Sequence, residues 1–336
     1  MKESIQIIAE IGVNHNGSTE LAKKMIDAAV VSGATAVKFQ TFRAETLADK
    51  HTPKVKYQQS TTDIKESHYE MLKKLELSEE QHIEIFEYCK NKKIEFLSTP
   101  YDAKSAEFLT KLGVSQFKVA SADIVDLTLH EYIASTKIPT LIALGMATYD
   151  EIDDVVEIYR KNKCQFTLLH CVSNYPCKES SLNLSVIPEL SKKYKCEVGY
   201  SDHSSAPFAS FLAISLGAKV IEKHFTLDKK LPGPDHKASS TPNEFKEMVD
   251  LINRAKIILG DKIKICQIEE MEMAKVSRKS ITFSKNVKKG TVITSEMLTN
   301  MRPGTGLKPK FLSTLIGKKA KKDFSAGYQP NISDLE

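Results

Sequence analysis

Several features that would assign a protein class at once are missing from this sequence. No apolar run reaches membrane-spanning length, and a strand pattern begins within a few residues of Met1. We therefore expect neither a signal peptide nor a transmembrane segment. The six cysteines contain no C-x-x-C pair, which indicates reduced core thiols rather than a disulfide framework. The sequence thus predicts a cytoplasmic protein.

A large excess of one charge and a phosphate-binding glycine loop are also missing. The net charge is only +5, with Lys and Arg mixed among Asp and Glu. This excludes the basic surface typical of nucleic-acid binding but fits a small anionic substrate. No G-x-G-x-x-G occurs, which disfavours an open dinucleotide-binding sheet. The 336 residues that are present suffice for one large domain and one small one.

Short apolar runs alternate with helical patterns along most of the chain. We predict strands over Ile5–Gly12, Ala36–Phe42, Glu95–Pro100, Gln116–Ser121, Pro139–Gly145, Phe166–Val172, Glu197–His203 and Lys219–Thr226. Helices are predicted over Thr19–Ser32, Glu80–Lys93, Asp102–Leu112, Tyr149–Lys161, Leu184–Tyr194 and Pro242–Leu259. Such β-α units predict the α/β fold class and a closed (β/α)8 TIM barrel, with an open doubly wound sheet as the alternative.

The predicted domain organisation has three parts. Residues 1–260 form the barrel, residues 261–278 a charged linker, and residues 279–336 a small β-rich domain with Gly- and Pro-punctuated strands. Within the barrel, the polar stretch between the second strand and Glu80 is too long for a plain connection. We expect it to include a lid over the barrel mouth.

The seventh and eighth predicted strands carry a candidate metal site. Alternation along a strand places Ser201 and His203 on one face, and Glu222 and His224 on one face of the next strand. The linker between them has the composition of a crossover helix, so both imidazoles reach the same end of the sheet. Imidazole nitrogens suit a divalent transition metal, with Glu222 or Asp202 as a further ligand or a supporting group.

Charged side chains at other strand ends indicate an anion pocket. Lys38 and Lys118 lie in otherwise apolar strands, where a buried ammonium is costly unless it meets an anion. Glu10 is an equally isolated carboxylate. With nearby hydroxyls these residues predict a phosphate or carboxylate pocket, and the alternative is a structural ion pair of Glu10 with a lysine. The strand-end candidates are Glu10, Lys38, Gln40, Ser98, Thr99, Lys118, Ser121, His170, Ser201, His203, Glu222 and His224.

Three residues are weaker candidates: His170 from the strand ends, and two loop residues, Asp235 and Arg302. His170 fits a hydrogen-bonded core histidine as well as a site residue. Asp235 follows the His224 strand in P-G-P-D-H, a position from which it would contact a substrate hydroxyl, although loop carboxylates are usually solvated. Arg302 lies in the stiff loop M-R-P-G-T-G, which indicates recognition, with an ordinary surface role as the alternative.

A series of motifs along essentially the whole chain resembles the sialic acid synthases. The motifs are A-E-I-G-V-N-H-N-G, V-K-F-Q-T-F, L-S-T-P, F-K-V-A-S, L-L-H-C, G-Y-S-D-H, I-E-K-H-F-T-L-D, P-G-P-D-H-K-A-S and R-P-G-T-G. The family includes N-acetylneuraminate, legionaminate and pseudaminate synthases. The resemblance implies a (β/α)8 barrel followed by an antifreeze-like (SAF) domain. It also implies a domain-swapped homodimer in which each SAF domain covers the partner's barrel.

The resemblance further implies a reaction. Phosphoenolpyruvate condenses with an N-acylated hexosamine and water, and phosphate is released. With N-acetylmannosamine as the acceptor the product is N-acetylneuraminate, and we take this as the first expectation. The alternative is a legionaminate synthase that uses 2,4-diacetamido-2,4,6-trideoxymannose. Mn²⁺, or another divalent ion such as Mg²⁺ or Co²⁺, is the implied cofactor.

Residue roles follow from the matching motifs. Glu10, Lys38 and Lys118 match catalytic residues, with Glu10 as the acid/base carboxylate, and His203 and His224 match the metal ligands. Residues that match substrate contacts are Gln40, Tyr175 and Asp235 for the sugar, Thr99, Ser121 and Ser201 for phosphoenolpyruvate, and Arg302 for the partner's site; Ser98 and Ser173 complete the predicted substrate-binding set.

Two departures and two competing functions qualify this interpretation. Ala143 stands where many relatives have Ser, and Ser173 stands where some have Asn, so contacts to phosphoenolpyruvate differ. The intact P-G-P-D-H disfavours a pseudaminate synthase. A metal-dependent barrel hydrolase is a remote alternative, because its usual H-x-H on the first strand is replaced here by Glu10. A carbohydrate- or ice-binding protein with a degenerate barrel would have lost the charged strand ends, which are complete.

Overall fold

Parallel strands form a closed barrel in the order of the chain. The computed structural model describes residues 5–59, 61–63, 66–205 and 207–336. The strands are β1 (Gln6–Gly12), β2 (Ala36–Thr41), β3 (Glu95–Pro100), β4 (Phe117–Val119), β5 (Thr140–Ala143), β6 (Phe166–Cys171), β7 (Glu197–Asp202) and β8 (Val220–His224). The prediction of a (β/α)8 barrel with a small β-rich C-terminal domain is confirmed.

Helices surround the barrel. They are α1 (Thr19–Val31), α2 (Ala44–Leu47), α3 (Lys56–Gln59), α4 (His68–Leu75), α5 (Glu79–Lys92), α6 (Ala103–Leu112), α7 (Leu127–Thr136), α8 (Tyr149–Lys161), α9 (Val186–Tyr194), α10 (Pro207–Ser215) and α11 (Pro242–Leu259). Several begin where the sequence offers a capping side chain: the hydroxyls of Ser78 and Thr148 accept from the third backbone N–H of α5 and α8. Local capping chemistry thus sets the ends of the helices that cover the strands.

The strand register determines which side chains meet inside the barrel. Glu10 of β1 is level with Lys38 of β2 on one side and with His224 of β8 on the other. Ser201 of β7 is level with Glu222 of β8. Because neighbouring parallel strands lie side by side with their side chains in step, these groups form one ring near the C-terminal ends of the strands.

An apolar layer closes the barrel below that ring. Its members are buried and contact one another: Ile8, Ala36, Leu97, Leu141, Leu169 and Val220. Two residues further along their strands, on the same interior face, come the polar residues Glu10, Lys38, Thr99 and Glu222. The apolar layer therefore forms the floor on which the polar groups are held away from the N-terminal end of the barrel.

The segment between β2 and α5 folds over the barrel mouth. Its helix α4 starts with a capping box between Ser67 and Glu70 and buries Met71, Leu72 and Leu75. These side chains pack in a separate apolar cluster with Val13, Phe42 and Ala44. The described part of this segment agrees with the expected lid, while residues 60, 64 and 65 lie outside the described residues.

The chain divides into two units, Met1–Gly260 and Asp261–Glu336. In the second unit, helix α12 (Met271–Ser277) precedes an antiparallel pair of strands, β9 (Ser280–Phe283) and β10 (Leu298–Met301). Its own core includes Ile281, Phe283, Val287, Ile293, Leu315 and Phe324. Among the described residues, no helix combines the length and apolar character needed to cross a bilayer.

Candidate active site

A cavity of about 650 Å³ opens at the C-terminal ends of the barrel strands. Volumes of this order suit small-molecule substrates. The predicted site residues that line it are Glu10, Lys38, Gln40, Thr99, Lys118, Ser121, Ser173, Tyr175, Ser201, His203, Glu222, His224 and Asp235. The barrel therefore gathers into one space residues that are spread over more than 200 positions of the sequence.

Glu10 and Lys38 form a buried ion pair in this cavity. Lys38 Nζ lies 2.8 Å from Glu10 Oε2 and donates to Thr99 Oγ1 at 3.1 Å, while Gln40 Nε2 donates to Glu10 Oε1 at 3.1 Å. Burial raises the pKa of Glu10 although Lys38 opposes the shift. Burial alone would lower the pKa of Lys38, but the carboxylates of Glu10 and Glu222 outweigh it and raise that pKa. The pair thus combines a persistent cation with a carboxyl group that binds a proton more readily than usual.

Glu222 and Lys118 form a second buried pair on the other side of the barrel interior. Lys118 Nζ lies 3.3 Å from Glu222 Oε1, and Ser201 Oγ donates to the same oxygen at 2.8 Å. Burial would raise the pKa of Glu222, but Lys118 and Lys38 together lower it to about 2. Glu222 is therefore ionised under all ordinary conditions, whereas Glu10 is the carboxyl group suited to proton exchange.

His203 and His224 approach each other at the rim, with ring centroids 5.6 Å apart. His203 Nδ1 is 2.8 Å from the Val172 carbonyl oxygen; since a carbonyl only accepts, Nδ1 carries the proton and Nε2 presents a lone pair. Burial lowers the pKa of His203, and burial together with the neighbouring His203 lowers the pKa of His224 well below its usual value. Both imidazoles are therefore neutral near pH 7, which is the form that binds metals.

These histidines fit the predicted metal, although they do not form a complete site alone. His224 Nδ1 is buried without a hydrogen-bond partner among the described residues, and it lies 4.0 Å from Asp235 Oδ2. Across the described part of the chain, no three or more His, Cys, Asp or Glu side chains are arranged to hold an ion together. A metal here would need ligands from water or substrate beside the two imidazoles, and its presence stays a prediction.

At Gly145 the backbone closely approaches the side of the cavity that is lined by Ser121 and Ser173. Its N–H donates to Ser121 Oγ at 3.0 Å. A Cβ built at Gly145 would lie 2.1 Å from Ser173 Oγ and 2.8 Å from Ser121 Oγ, so only glycine fits there. Ala143 also lines the cavity and offers no hydroxyl, which agrees with the departure seen in the sequence. Ser121 and Ser173 are thus held together as hydroxyl groups facing the cavity.

The structure does not bring all candidates to the cavity. Ser98 Oγ lies 2.7 Å from Thr41 Oγ1, on the opposite face of β3 from Thr99. His170 Nε2 donates to the Leu182 carbonyl oxygen at 2.7 Å, as expected of a core histidine. Arg302 is exposed in the second unit, and its predicted role stays a prediction.

Asp202, named from the sequence as a ligand or supporting group, also turns away from the cavity. Its carboxylate pairs with Lys223 Nζ at 2.9 Å and accepts from Ser204 N and Ser210 Oγ, both at 2.8 Å. This third buried pair lies behind β7 and β8, on the side of the helices. Asp202 therefore supports the loop after His203 and is not placed as a ligand.

Several cavity residues escaped the sequence analysis. Asp123, in the turn after β4, lines the cavity, and its buried Oδ2 has no hydrogen-bond partner among the described residues. Burial, and to a smaller extent the nearby Asp126 carboxylate, raises the pKa of Asp123 to about 6. The sequence could have pointed to Asp123 only through its position two residues after the candidate Ser121. Another side of the cavity comes from residues that the sequence does not single out: the apolar Val13, Leu47, Val55, Met71, Leu72 and Leu75, together with the polar Gln58 and His68.

Curated relatives cover nearly the whole chain. A synthase of N,N'-diacetyllegionaminic acid from Legionella pneumophila is 43% identical over 96% of this chain and 92% of its own length. The protein of the same name from Campylobacter jejuni is 40% identical over 96% of this chain and 98% of its own length. Human N-acetylneuraminate-9-phosphate synthase is 34% identical over 93% of this chain and 88% of its own length.

Solved structures and family models agree. The N-acetylneuraminic acid synthetase of Leptospira borgpetersenii, 36% identical, superposes with a TM-score of 0.72 over 80% of this chain and 90% of that chain. The NeuB family model matches residues 25–264, and the SAF domain model matches residues 278–328. The chain therefore belongs to the NeuB family, and it is an enzyme of this group of phosphoenolpyruvate-using sugar-acid synthases.

Proposed function

We propose that the enzyme condenses phosphoenolpyruvate with an N-acylated hexosamine and water to give a nine-carbon sugar acid and phosphate. The observation that carries the proposal is the composition of one cavity: two buried lysines, a carboxyl group with a raised pKa and two neutral histidines. Each group corresponds to one requirement of the reaction, namely anion binding, proton transfer and polarisation of the electrophile.

Phosphoenolpyruvate binds at the lysines in this proposal. Lys38 and Lys118 supply two ammonium groups, and Thr99, Ser121 and Ser201 supply hydroxyl donors around them. In the free enzyme the two carboxylates balance the lysines, so an incoming anion competes with them for the ammonium groups. Its negative charge raises the pKa of Glu10 still further, because a like charge nearby disfavours the ionised form. Glu10 therefore takes up a proton as the substrate binds.

The proton on Glu10 then serves the chemistry. Carbon 3 of phosphoenolpyruvate forms a bond to the aldehyde carbon of the acceptor, water adds to carbon 2, and the C2–O bond to phosphate breaks. The new hydroxyl gains one proton and the attacking water loses two, the second of which leaves with the phosphate as carbon 2 becomes a carbonyl. One carboxyl group can therefore give a proton to the hydroxyl and take one back from the water. His203 and His224 would hold the divalent ion, which supplies Lewis-acid polarisation of the aldehyde oxygen.

Two acceptors suit this reaction. N-acetylmannosamine would yield N-acetylneuraminate, and the likeness to the Leptospira N-acetylneuraminic acid synthetase supports it. The acceptor 2,4-diacetamido-2,4,6-trideoxymannose would yield a legionaminate, and the names of the Legionella and Campylobacter relatives support that choice. Their higher identity to this chain favours the diacetamido sugar.

A reconstitution assay tests the proposal. The protein is stripped of metal, Mn²⁺ and phosphoenolpyruvate are added, and each sugar is supplied in a separate reaction while phosphate and the nine-carbon product are measured. Reactions without sugar, and with chelator in place of Mn²⁺, are the controls. We expect phosphate release that needs both sugar and metal. If neither sugar supports phosphate release, the synthase proposal is refuted. Turnover in the presence of chelator would refute the requirement for a metal ion.

We also propose that the working enzyme is a cytoplasmic homodimer. The residues around the boundary of the two units expose large apolar side chains: Ile263, Ile265, Ile268, Met271, Met273 and Val276. Exposed apolar residues at such density are typical of surfaces that a partner covers. Light scattering coupled to gel filtration should give twice the mass of 37.6 kDa. A monomer at micromolar concentration would contradict the dimer.

A further inference from the structure

Two loops that are far apart in the sequence are joined by side-chain hydrogen bonds at the mouth of the barrel. The β1 loop, residues 13–17, follows the strand that carries Glu10, and the β8 loop, residues 225–240, follows the strand that carries His224. The β8 loop also contains Asp235, which lines the cavity and whose Oδ2 lies 4.0 Å from His224 Nδ1. The contact between these loops therefore bears on where Asp235 lies.

A first hydrogen-bond path runs from Asn14 to the backbone of Asp235. Asn14 is buried, and its Nδ2 donates to the Phe225 carbonyl oxygen and to Ser239 Oγ, each at 2.9 Å. Because a carbonyl oxygen only accepts, the contact with Phe225 fixes which end of the Asn14 amide is the donor. Ser239 Oγ then donates its single proton to the Asp235 carbonyl oxygen at 2.7 Å. This path thus has one direction, from the β1 loop into the residue that lines the cavity.

A second hydrogen-bond path runs from Asn16 through His236. Asn16 Nδ2 donates to the Pro232 carbonyl oxygen at 2.8 Å and lies 3.3 Å from His236 Nε2. His236 is buried, and its Nδ1 lies 2.7 Å from Thr226 Oγ1, which donates to the Asp228 carbonyl oxygen at 3.1 Å. Since the Thr226 hydroxyl has only one proton, Nδ1 of His236 is the donor and Nε2 accepts from Asn16. The second path therefore ties both ends of the β8 loop's first half to the β1 loop.

The backbone of both loops is suited to this close approach. Gly233 has φ +144°, and a Cβ built there would lie 2.9 Å from Asn16 Oδ1 and 2.8 Å from His236 Cδ2. Only glycine fits between these two side chains. Asn16 has φ +49°, a left-handed conformation that asparagine adopts more readily than most residues. The contact is thus built into the local conformation on each side.

We propose that the two paths position Asp235 for the acceptor sugar. This inference rests on the proposed function, in which the Asp235 carboxylate contacts a sugar hydroxyl. Among the described residues that line the cavity are Pro234 and Asp235, but none of the four side chains that build the paths. These four act through Asp235, as positioning residues, and are Asn14, Asn16, Ser239 and His236.

Holding Asp235 in advance lowers the cost of binding the sugar. A carboxylate on a mobile loop must be ordered when the sugar arrives, whereas one on a fixed loop has already lost that freedom. The β1 loop leads directly out of the strand of Glu10, so the paths also hold the sugar contact in place relative to the proposed acid/base group. Loss of either path should therefore weaken sugar binding before it affects the anion pocket.

The test breaks each path separately and measures the KM for the sugar and the KM for phosphoenolpyruvate, with whichever sugar supports turnover. Ser239→Ala removes the donor to the Asp235 carbonyl oxygen. Asn16→Gly removes the second path, and glycine accepts φ +49° without strain. We expect each change to raise the KM for the sugar by about 3–10-fold, the effect of one neutral hydrogen bond, and to leave the KM for phosphoenolpyruvate within about twofold.

Ser32→Ala is the matched control. Ser32 is 3% exposed, and its Oγ donates at 2.8 Å to the carbonyl oxygen of Ala28, four residues earlier, just as Ser239 Oγ does to Asp235. Ser32 lies between α1 and β2, at the opposite end of the barrel from the cavity. This change should leave both KM values within about twofold of the wild type, since the lost hydrogen bond has no connection to the sugar.

A double-mutant cycle with Asp235→Ala distinguishes positioning from a merely structural role. Asp235→Ala alone should raise the KM for the sugar by roughly 10–150-fold, because it removes a hydrogen bond to a charged group. In that background Ser239→Ala should add less than about a twofold rise, since the group that it positions is gone. A serine that only stabilises the loop would instead lower the amount of active enzyme and have the same effect with or without Asp235.

Three results would overturn the positioning role and leave the synthase function intact. They are an unchanged KM for the sugar in both single variants, an equal rise in the two KM values, and an effect of Ser239→Ala that is undiminished by Asp235→Ala. Phosphate release by the wild-type enzyme with neither sugar would refute the proposed function and, with it, this inference.

Discussion

Replacing Glu10 with glutamine tests the proposed proton transfer most directly. The side chain keeps its shape but can no longer exchange a proton, and it loses the charge that lies 2.8 Å from Lys38 Nζ. A general acid–base group contributes about 10²–10⁴-fold to the rate, which corresponds to about 2.7–5.5 kcal/mol of the barrier. We therefore expect kcat to fall by at least about 100-fold.

The same change should also destabilise the barrel by a definable amount. Removing one partner of a buried ion pair costs about 3–5 kcal/mol in the free energy of unfolding. Lys38, only 3% exposed, keeps its hydrogen bond to Thr99 and the attraction of Glu222, so we expect the lower end of that range, about 3 kcal/mol. Urea unfolding measures this loss, and turnover is then assayed under conditions in which the variant is folded.

Asp202→Asn is the matched control. It breaks a pair of similar burial, with 2.9 Å between Asp202 Oδ2 and Lys223 Nζ, that lies outside the cavity. Both variants should lose similar stability, whereas only Glu10→Gln should lose turnover by two or more orders of magnitude. Near-normal turnover of Glu10→Gln would refute the acid/base role. An equal loss of turnover in both variants would show that a buried ion pair, and not proton transfer, explains the effect.

Three further predictions concern metal, substrate and pH. His203→Ala should weaken Mn²⁺ binding by more than about 100-fold in a calorimetric titration, since even groups behind a metal ligand are worth 10–100-fold; unchanged affinity would rule out the histidine pair. Lys118→Met should raise the KM for phosphoenolpyruvate by roughly 10–150-fold, because a charge-assisted hydrogen bond is worth about 1.5–3 kcal/mol, and an unchanged KM would contradict the anion pocket. Burial lowers the pKa of His15 to about 3 and that of His130 to about 4. Because the unfolded chain takes up these protons first, the free energy of unfolding should fall as pH drops below about 6.5, by about 2 kcal/mol per histidine at pH 5, and equal urea midpoints at pH 8 and pH 5 would refute this.

The sequence was most informative where chemistry and periodicity coincided. Lys38 and Glu10 stood out because a charge inside an apolar strand needs a reason, and both lie in the cavity. Alternation also placed Ser201 correctly on the face of His203, and Ser201 Oγ bonds Glu222 from the next strand. These inferences need only the period of a strand and the rule that parallel strands end at one side of a barrel.

Where those rules were not applied, the interpretation failed. Ser98 and Thr99 are consecutive, so only one of them can face the interior, and the structure places Thr99 there. Helix α7 was missed because a histidine, His130, occupies one of its core positions and interrupts the apolar pattern. The cavity residues between β2 and α5 could not be predicted, because they reach the cavity only through the tertiary fold of that segment.

The Asp202–Lys223 pair has a consequence for how this barrel tolerates insertions and deletions. The side chains of this pair lie on the opposite face of the strands from His203 and His224. One extra residue within β8 would therefore turn His224 toward the helices and Lys223 into the cavity. The position of the proposed metal ligand would then be filled by an ammonium group, and the Asp202 carboxylate would be left unpaired in the helix layer. Length changes should therefore be accommodated in the loops after β7 and β8, where new residues can alter the shape of the mouth without exchanging the two faces of the strands.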